Sequence, residues 1–313
     1  MRYLPNGKQM SEADAHTIHK IGIPSLVLME RAALQIVETM HKKNISTEKS
    51  LIVCGSGNNG GDGFAVARLL TEQGKHADVL FAGKEASLSE ECRCQKQIVE
   101  NMGISVFTEF PDEEYTVIID AVFGVGLCRE ITGHYKDVID WMNLQDTEKV
   151  AVDIPSGICA ATGEILGTAF RADLTVCMAC VKLGCELFPG KSYAGESIPV
   201  AIGIDPNYFS NRLDVCYTFD KNELGKLLPA RMMNSHKGSY GKVLMITGSP
   251  GMAGAAFLSA CAAYTVGAGL VQIYTASENR LALQELLPEA IISCYDSYDD
   301  SQLSHLLDWA DVV

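Results

Sequence analysis

Six short apolar runs alternate with helix-like segments along the first two thirds of the chain, and this alternation restricts the fold more than any other feature. The runs cover residues 51–54, 77–81, 117–120, 150–153, 174–178 and 198–204. Most are apolar throughout, as strands buried on both faces are. Strands separated by helices imply a parallel sheet covered on both sides, an α/β architecture in three layers. After Pro24, the residues Leu28, Ala32, Ile36 and Met40 recur at four-residue steps and predict a long helix. Ser11 with Asp14 three positions later predicts the start of another. Around 219–235, Leu228 and Pro229 included, the pattern gives way to a polar, helix-like connector. A new unit then opens with Tyr240-Gly241-Lys242 and the apolar run 243–247. The boundary falls near residue 230, and the units are taken as 1–225 and 226–313.

Charge and cysteine usage narrow the partners. A formal net charge of −14 with no Lys/Arg block repels phosphodiester backbones, so nucleic acid is excluded as a partner. An anionic dinucleotide is still allowed, because backbone N–H groups hold phosphate without a basic patch. No apolar run approaches the ~18 residues of a membrane span, and residues 1–7 lack the apolar core of a secretory signal. A cytoplasmic setting is therefore expected, with no membrane partner and room for a homo-oligomer. Eleven scattered cysteines fit reduced thiols. Cys92 and Cys94 have the wrong spacing for a zinc pair. Cys177 and Cys180, with Cys185 beyond, lie on an apolar run without a second pair, and read as small core residues.

Ligands on open parallel sheets bind beyond the carboxyl ends of the strands, and three such ends carry unusual residues. The first is Gly55-Ser56-Gly57-Asn58-Asn59-Gly60-Gly61-Asp62-Gly63, read as a loop before a helix over 64–70. Its glycines admit a ligand close to the backbone, and a helix start offers free N–H groups to phosphate. The second is Asp120 with the segment 121–127, and the third is Asp153-Ile154-Pro155-Ser156-Gly157, where Pro155 and Gly157 fix a tight turn. Either could be a plain turn alone; the three together are more specific. Oxygen donors from Asn59, Asp120 and Ser156, with loop carbonyls, make an all-oxygen site with a single carboxylate. That charge count suits a monovalent ion better than Ca²⁺, without separating K⁺ from Na⁺. No His/Cys constellation points to zinc.

These motifs resemble the NAD(P)H-hydrate epimerase family: residues 57–63, Asp120 with Gly124-Val125-Gly126, and Val152 through Gly157. The stretch 175–195, with Val181-Lys182-Leu183-Gly184 and Phe188-Pro189-Gly190-Lys191, resembles that family too, and the likeness covers about residues 5–215. The resemblance implies a Rossmann-like α/β/α domain whose substrate is hydrated NADH or NADPH. It implies substrate contacts at Asn58, Asn59, Gly60, Gly61 and Asp62, at Gly124, Val125, Gly126, Leu127, Cys128, Arg129 and Glu130, and at Asp153. It also implies K⁺ at Asn59, Asp120 and Ser156. From His236 to Gly241, through 248–256 and 267–270, the chain is similar to ADP-dependent NAD(P)H-hydrate dehydratases, relatives of the ribokinase fold. Ala255 matches a substrate contact there. This second unit is expected to be the N-terminal part of that domain, with ADP or ATP and Mg²⁺ expected only for its complete form. The resemblance places that family's phosphate-binding loop and catalytic carboxylate after residue 313, so this chain is expected to epimerise and not to dehydrate. About eighty residues of such a sheet, with an open edge and an uncovered apolar face, are also expected to be a poor independent fold.

The hydrate carries a hydroxyl on carbon 6 of the reduced ring, beside the ring nitrogen. Inversion there needs a proton moved to or from oxygen, by loss of water or by ring opening, which suits a carboxylate. Asp153 is the expected acid/base. Lys182 comes second, since a lysine after a strand is ordinarily solvated. Residues 55–60 also satisfy GxGxxG, which raises an NAD-dependent oxidoreductase as an alternative. The acid that such a site needs after the next strand is missing, because residues 79–81 run into Ala82-Gly83-Lys84. A non-catalytic nucleotide-binding module is the other alternative, and a sugar or vitamin kinase rests on the second unit alone.

Overall fold

The computed structural model describes residues 1–227, 230–297 and 299–313, so Leu228 and Pro229 of the connector lie outside the described residues. The chain divides into two compact units, Met1–Gly225 and Lys226–Val313.

In chain order, the first unit runs β1 (Arg2–Leu4), α1 (Gly7–His16), α2 (Ser25–Lys42), β2 (Lys49–Cys54), α3 (Asn58–Glu72), β3 (His76–Phe81), α4 (Glu90–Asn101), β4 (Val106–Phe107) and β5 (Val117–Ala121). It continues with α5 (His134–Leu144), β6 (Glu148–Val152), β7 (Leu174–Met178), α6 (Leu183–Glu186), α7 (Lys191–Ala194), β8 (Glu196–Val200), β9 (Cys216–Thr218) and α8 (Lys221–Leu227), the last extending just past the boundary. Seven strands form one parallel sheet in the order β4-β3-β2-β5-β6-β7-β8. Strands β2, β5 and β7 are almost wholly buried, which is why their sequences carry no alternation. The β1 strand pairs antiparallel with β9, bringing the two ends of the unit together.

From β2 the chain winds outward through β3 to β4, then returns to place β5 on the other side of β2. The loops after β2 and β5 therefore part company and open a crevice, the topological switch point of a doubly wound sheet. Two of the three unusual loops are these. The third follows β6, the next strand over.

Three expectations are corrected here. Helix α1 does not start at Ser11. Asn6 caps it, accepting from Gln9 N at 2.9 Å while the Gln9 side chain accepts from Asn6 N, and Ser11 lies inside the helix. Residues 58–63 are the first turns of α3 and not loop. Their glycines read as breakers, but tight packing is what requires them: a Cβ on Gly63 would stand 2.5 Å from Ala121 Cβ. The run 198–204 is strand only to Val200, and Ile202 and Ile204 are buried beyond it.

The second unit has β10 (Lys242–Ile246), α9 (Ala253–Val266), β11 (Leu270–Ala276), α10 (Arg280–Leu286), β12 (Ile291–Tyr295) and α11 (Asp300–Trp309). Its three strands pair in parallel in the order β10-β11-β12. Ala256, Ala260 and Ala263 bury one face of α9 among Val271, Ile273 and Leu283, while Leu258 and Val266 remain exposed. Among the described residues no helix is long and apolar enough to cross a membrane.

Candidate active site

A cavity of about 510 Å³ opens at the switch point of the first unit. Asn58, Asn59 and Asp62 reach it from the first turns of α3, residues 122–129 from the loop after β5, and Asp153 from the end of β6. Met10, Asp14 and Ile18 enter from α1 and the turn that continues it. Of the expected substrate contacts, Asn58, Asn59, Asp62, Gly124, Val125, Gly126, Leu127, Cys128, Arg129 and Asp153 line this cavity. Gly60, Gly61 and Glu130 do not line it, and Ala255 belongs to the other unit, at the start of α9. Gly60 and Gly61 answer to packing instead: a Cβ on Gly60 would stand 2.0 Å from the Gly55 carbonyl oxygen, and one on Gly61 would stand 2.6 Å from Met29 Cε.

Strands β6 and β7 both end in a strained three-residue turn. Ile154 N donates to Val152 O at 2.8 Å across Asp153 (φ +70°), and Cys180 N donates to Met178 O at 2.7 Å across Ala179 (φ +60°). Positive φ at non-glycine residues is uncommon and concentrates where a side chain must be aimed. Here the turn carries the Asp153 carboxylate over to β7, where its Oδ1 accepts from Met178 N at 2.9 Å and from the Lys182 ammonium. Lys182 also donates to Met178 O at 2.9 Å. Lys182 is not solvated, contrary to the sequence expectation, and its side chain is 1% exposed. Burial is the strongest single influence and opposes its charge, but the Asp153 carboxylate, with Cys177 and Cys185 adding to it, holds the pKa above the ordinary lysine value.

Two further carboxyl groups face this pair. Asp14 is pushed up to about 6, first by burial and then by the charge of Asp153, with Lys182 pulling the other way. Asp62 is pushed well above the carboxylate range by burial, with Asp153 and Asp14 adding to it. Sequence reading took Asp14 only as part of a helix start. The missed signal is its spacing: Met10, Asp14 and Ile18 share one helix face, so an acid stands among apolar neighbours.

Behind the β5 loop, Asp120 is fully buried. Its Oδ1 accepts from Ser156 Oγ at 2.6 Å and from Val122 N at 3.2 Å, and its Oδ2 accepts from Ser156 N at 2.7 Å. Ser156 Oγ also accepts from Phe123 N at 2.8 Å. Burial pushes the Asp120 carboxyl up to about 6 against these donors, and no cationic side chain among the described residues pairs with it. Asn59 lies across the same loop, its Oδ1 3.3 Å from where a Gly124 Cβ would stand. Its buried Nδ2 has no hydrogen-bond partner among the described residues. The structure thus gathers Asn59, Asp120 and Ser156 around residues 122–124, where the Asn59 carbonyl, the Asp120 carboxylate and the Ser156 hydroxyl offer oxygens and one negative charge; the unpartnered Nδ2 is a hydrogen-bond donor and takes no part in that set. That donor set fits a monovalent cation. The other cluster of metal-capable groups, His76, Asp78 and Glu113, is at the amino end of β3, away from the cavity. Tyr115 bonds its Asp78 and Lys49 pairs with its Glu113. All eleven cysteines are free, and Cys177, Cys180 and Cys185 are buried as core residues.

A family model described as YjeF-related protein N-terminus matches residues 25–184, and one described as NAD(P)H-hydrate dehydratase matches residues 243–313. An NAD(P)H-hydrate epimerase of Oenococcus oeni is 42% identical over 201 residues, which cover 64% of this chain and 96% of that protein. One from Limosilactobacillus reuteri is 44% identical over 197 residues, 62% of this chain and 93% of that protein. A bifunctional NAD(P)H-hydrate repair enzyme of Moorella thermoacetica is 34% identical over 287 residues, covering 86% of this chain. The match covers 53% of that enzyme, about half its length. A yeast protein of known crystal structure shares the fold at TM-score 0.55 and 17% identity, over 69% of this chain and 99% of its own. On these matches, the chain belongs to the NAD(P)H-hydrate epimerase family.

Proposed function

We propose that the first unit interconverts the R and S forms of NAD(P)H-hydrate, and does so in the cytoplasm, in keeping with eleven free cysteines. The observation that carries the reading is the buried Asp153–Lys182 pair aimed into a cavity at the sheet's switch point. The pair would set a carboxylate and an ammonium, one group able to take a proton and one able to give it, beside carbon 6 of the ring. Asn58, Asn59 and the 122–129 loop would hold the nucleotide, and Arg129 offers a charge to its phosphates. The oxidoreductase alternative loses ground, because β3 ends in Phe81-Ala82-Gly83 with no acid at its end to take a ribose hydroxyl.

Asn59, Asp120 and Ser156, with carbonyls of the 122–124 loop, would hold K⁺. When bound, that ion supplies positive charge beside Asp120 and orders the two loops of the crevice. Residues 226–313 are read as part of an ADP-dependent dehydratase domain, whose complete form returns the S-hydrate to NAD(P)H with ADP or ATP and Mg²⁺.

Chiral chromatography of purified R- and S-hydrates, with and without the protein, tests the reading. Rapid equilibration from either epimer is expected in K⁺. Replacing K⁺ by tetraethylammonium is expected to slow it roughly tenfold to a hundredfold, the scale that follows from loops displaced by about an ångström. No rate above the protein-free control would end the reading, and equal rates in both salts would remove the ion from it.

A further inference from the structure

Asp14 is a carboxylate for which the fold has no use. It stands in the last turn of α1, where a negative charge opposes the helix dipole. It is half-buried, and its carboxylate makes no hydrogen bond or ion pair among the described residues. Its neighbours on the same helix face, Met10 and Ile18, line the cavity with it. The charged groups that face it from other elements are Asp153 at the end of β6, Lys182 before α6 and Asp62 on α3. Three carboxylates therefore share one ammonium, and Asp153 already holds that ammonium by direct contact. Like charges confined together do not all ionise, and Asp14 and Asp62, both left without a partner among the described residues, are the two that keep a proton. Of these, Asp14 stands on the apolar wall that α1 turns to the cavity, across from Asp153 and Lys182.

Inverting a carbon through loss and return of water needs two groups, one on each side. A proton must reach the departing hydroxyl, and a proton must leave the incoming water. We propose that Asp14 is the second proton-transfer group of this site, the acid that complements Asp153 as base. This rests on the epimerase reading above. The Asp14 carboxyl gives its proton to the C6 hydroxyl while the C6–O bond breaks with its electron pair on oxygen. Water departs, and the ring-nitrogen lone pair forms the C=N bond of a cation. Water then adds to the opposite face of C6, its electron pair making the new C–O bond, and Asp153 takes its proton. One C–O bond is broken and one formed, water is released and taken up, and nothing is oxidised. The starting protonation states return by exchange with water in the open cavity, and the reverse reaction uses the same two groups with roles exchanged.

The remaining asymmetry supports the assignment. Asp153 is engaged by Met178 N and the Lys182 ammonium, whereas the Asp14 carboxyl is engaged by neither. Asp14, at about 6, keeps its proton near neutrality far better than an ordinary carboxyl.

The experiment compares wild type, Asp14→Asn and Asp14→Glu in the R/S equilibration assay across pH 5–9. It is joined to a ¹³C NMR titration of the wild-type Asp14 carboxyl. Asp14→Asn is expected to lose roughly 10²–10⁴-fold in kcat with KM changed only a few-fold, the usual share of a general acid. Its residual activity should lack the wild-type fall on the alkaline side, and Asp14→Glu should restore part of the rate. The carboxyl should titrate near 6. A raised folded-state pKa means that stability falls as pH rises from the unfolded value of 3.8 through about 6. Asp14→Asn removes that loss, so it should melt no lower than wild type above pH 6. Full activity in Asp14→Asn, a loss confined to KM, or titration near 3.8 would overturn the proposal. Wild type without activity on either hydrate would instead overturn the epimerase reading, and the inference with it.

Discussion

Asp153→Asn is expected to slow R/S interconversion by about 10²–10⁴-fold, the contribution of a positioned acid/base, and to destabilise the first unit as well. The second effect follows from Lys182. Its ammonium has two polar contacts, the Asp153 carboxylate and Met178 O, and its side chain is 1% exposed. Removing one partner of a buried pair strands the other charge, at a cost of about 3–5 kcal/mol. Lys182→Met should be destabilising for the mirror reason. The double variant Asp153→Asn/Lys182→Met removes both charges, and replacing a whole buried pair is often near neutral. It should therefore regain most of the stability lost by either single change while staying inactive. Urea denaturation beside the epimer assay separates the two effects. Activity returning together with stability in the double variant would show that the pair holds the fold and takes no part in chemistry.

That test also shows what the sequence could and could not reveal. The parallel sheet was legible because strands buried on both faces leave continuous apolar runs, and 174–178 coincides with β7. The three loops were legible because polar residues and glycines at strand ends are costly without a reason. Lys182 was misjudged because its charge, read alone, implies solvent. Only the left-handed turn at Asp153 and the register of β6 beside β7 bring the neutralising carboxylate to it. Asp14 went unread as a site residue although its spacing from Met10 and Ile18 puts an acid on an apolar face; what that spacing leaves out is the tertiary packing that carries the face to the cavity. Asn58–Gly63 was taken for loop because glycine weakens isolated helices by about 1 kcal/mol each. In the folded chain, close approach to Gly55 and Ala121 outweighs that weakness.

Those glycines divide into two kinds, and the division supports a sharp expectation. Gly60→Ala places a Cβ 2.0 Å from the Gly55 carbonyl oxygen and 2.7 Å from its carbon. Both are backbone atoms inside the turn that joins β2 to α3, so no side chain can swing aside. The loop must deform, and a loss of about 3 kcal/mol, the upper range for overpacking, is expected along with most of the activity. Gly57→Ala meets nothing within 4 Å, and its backbone is extended (φ −87°, ψ −173°), a conformation that alanine adopts freely. Loss of a favourable helix cap and gain of unfolded-state rigidity roughly offset each other, so stability should stay within about 1 kcal/mol of wild type. Yet Gly57 lines the cavity at the amino end of α3, and a helix start leaves N–H groups free to bind an anion. If the hydrate's phosphates approach the backbone there, the added methyl occupies their space. KM should then rise roughly tenfold to a hundredfold, equivalent to about 1–3 kcal/mol, with kcat nearly unchanged. Thermal melts and saturation kinetics on the two variants distinguish the roles. A Gly57→Ala protein with wild-type KM would mean that the ligand does not touch this turn, and the nucleotide would have to be placed along the 122–129 loop instead.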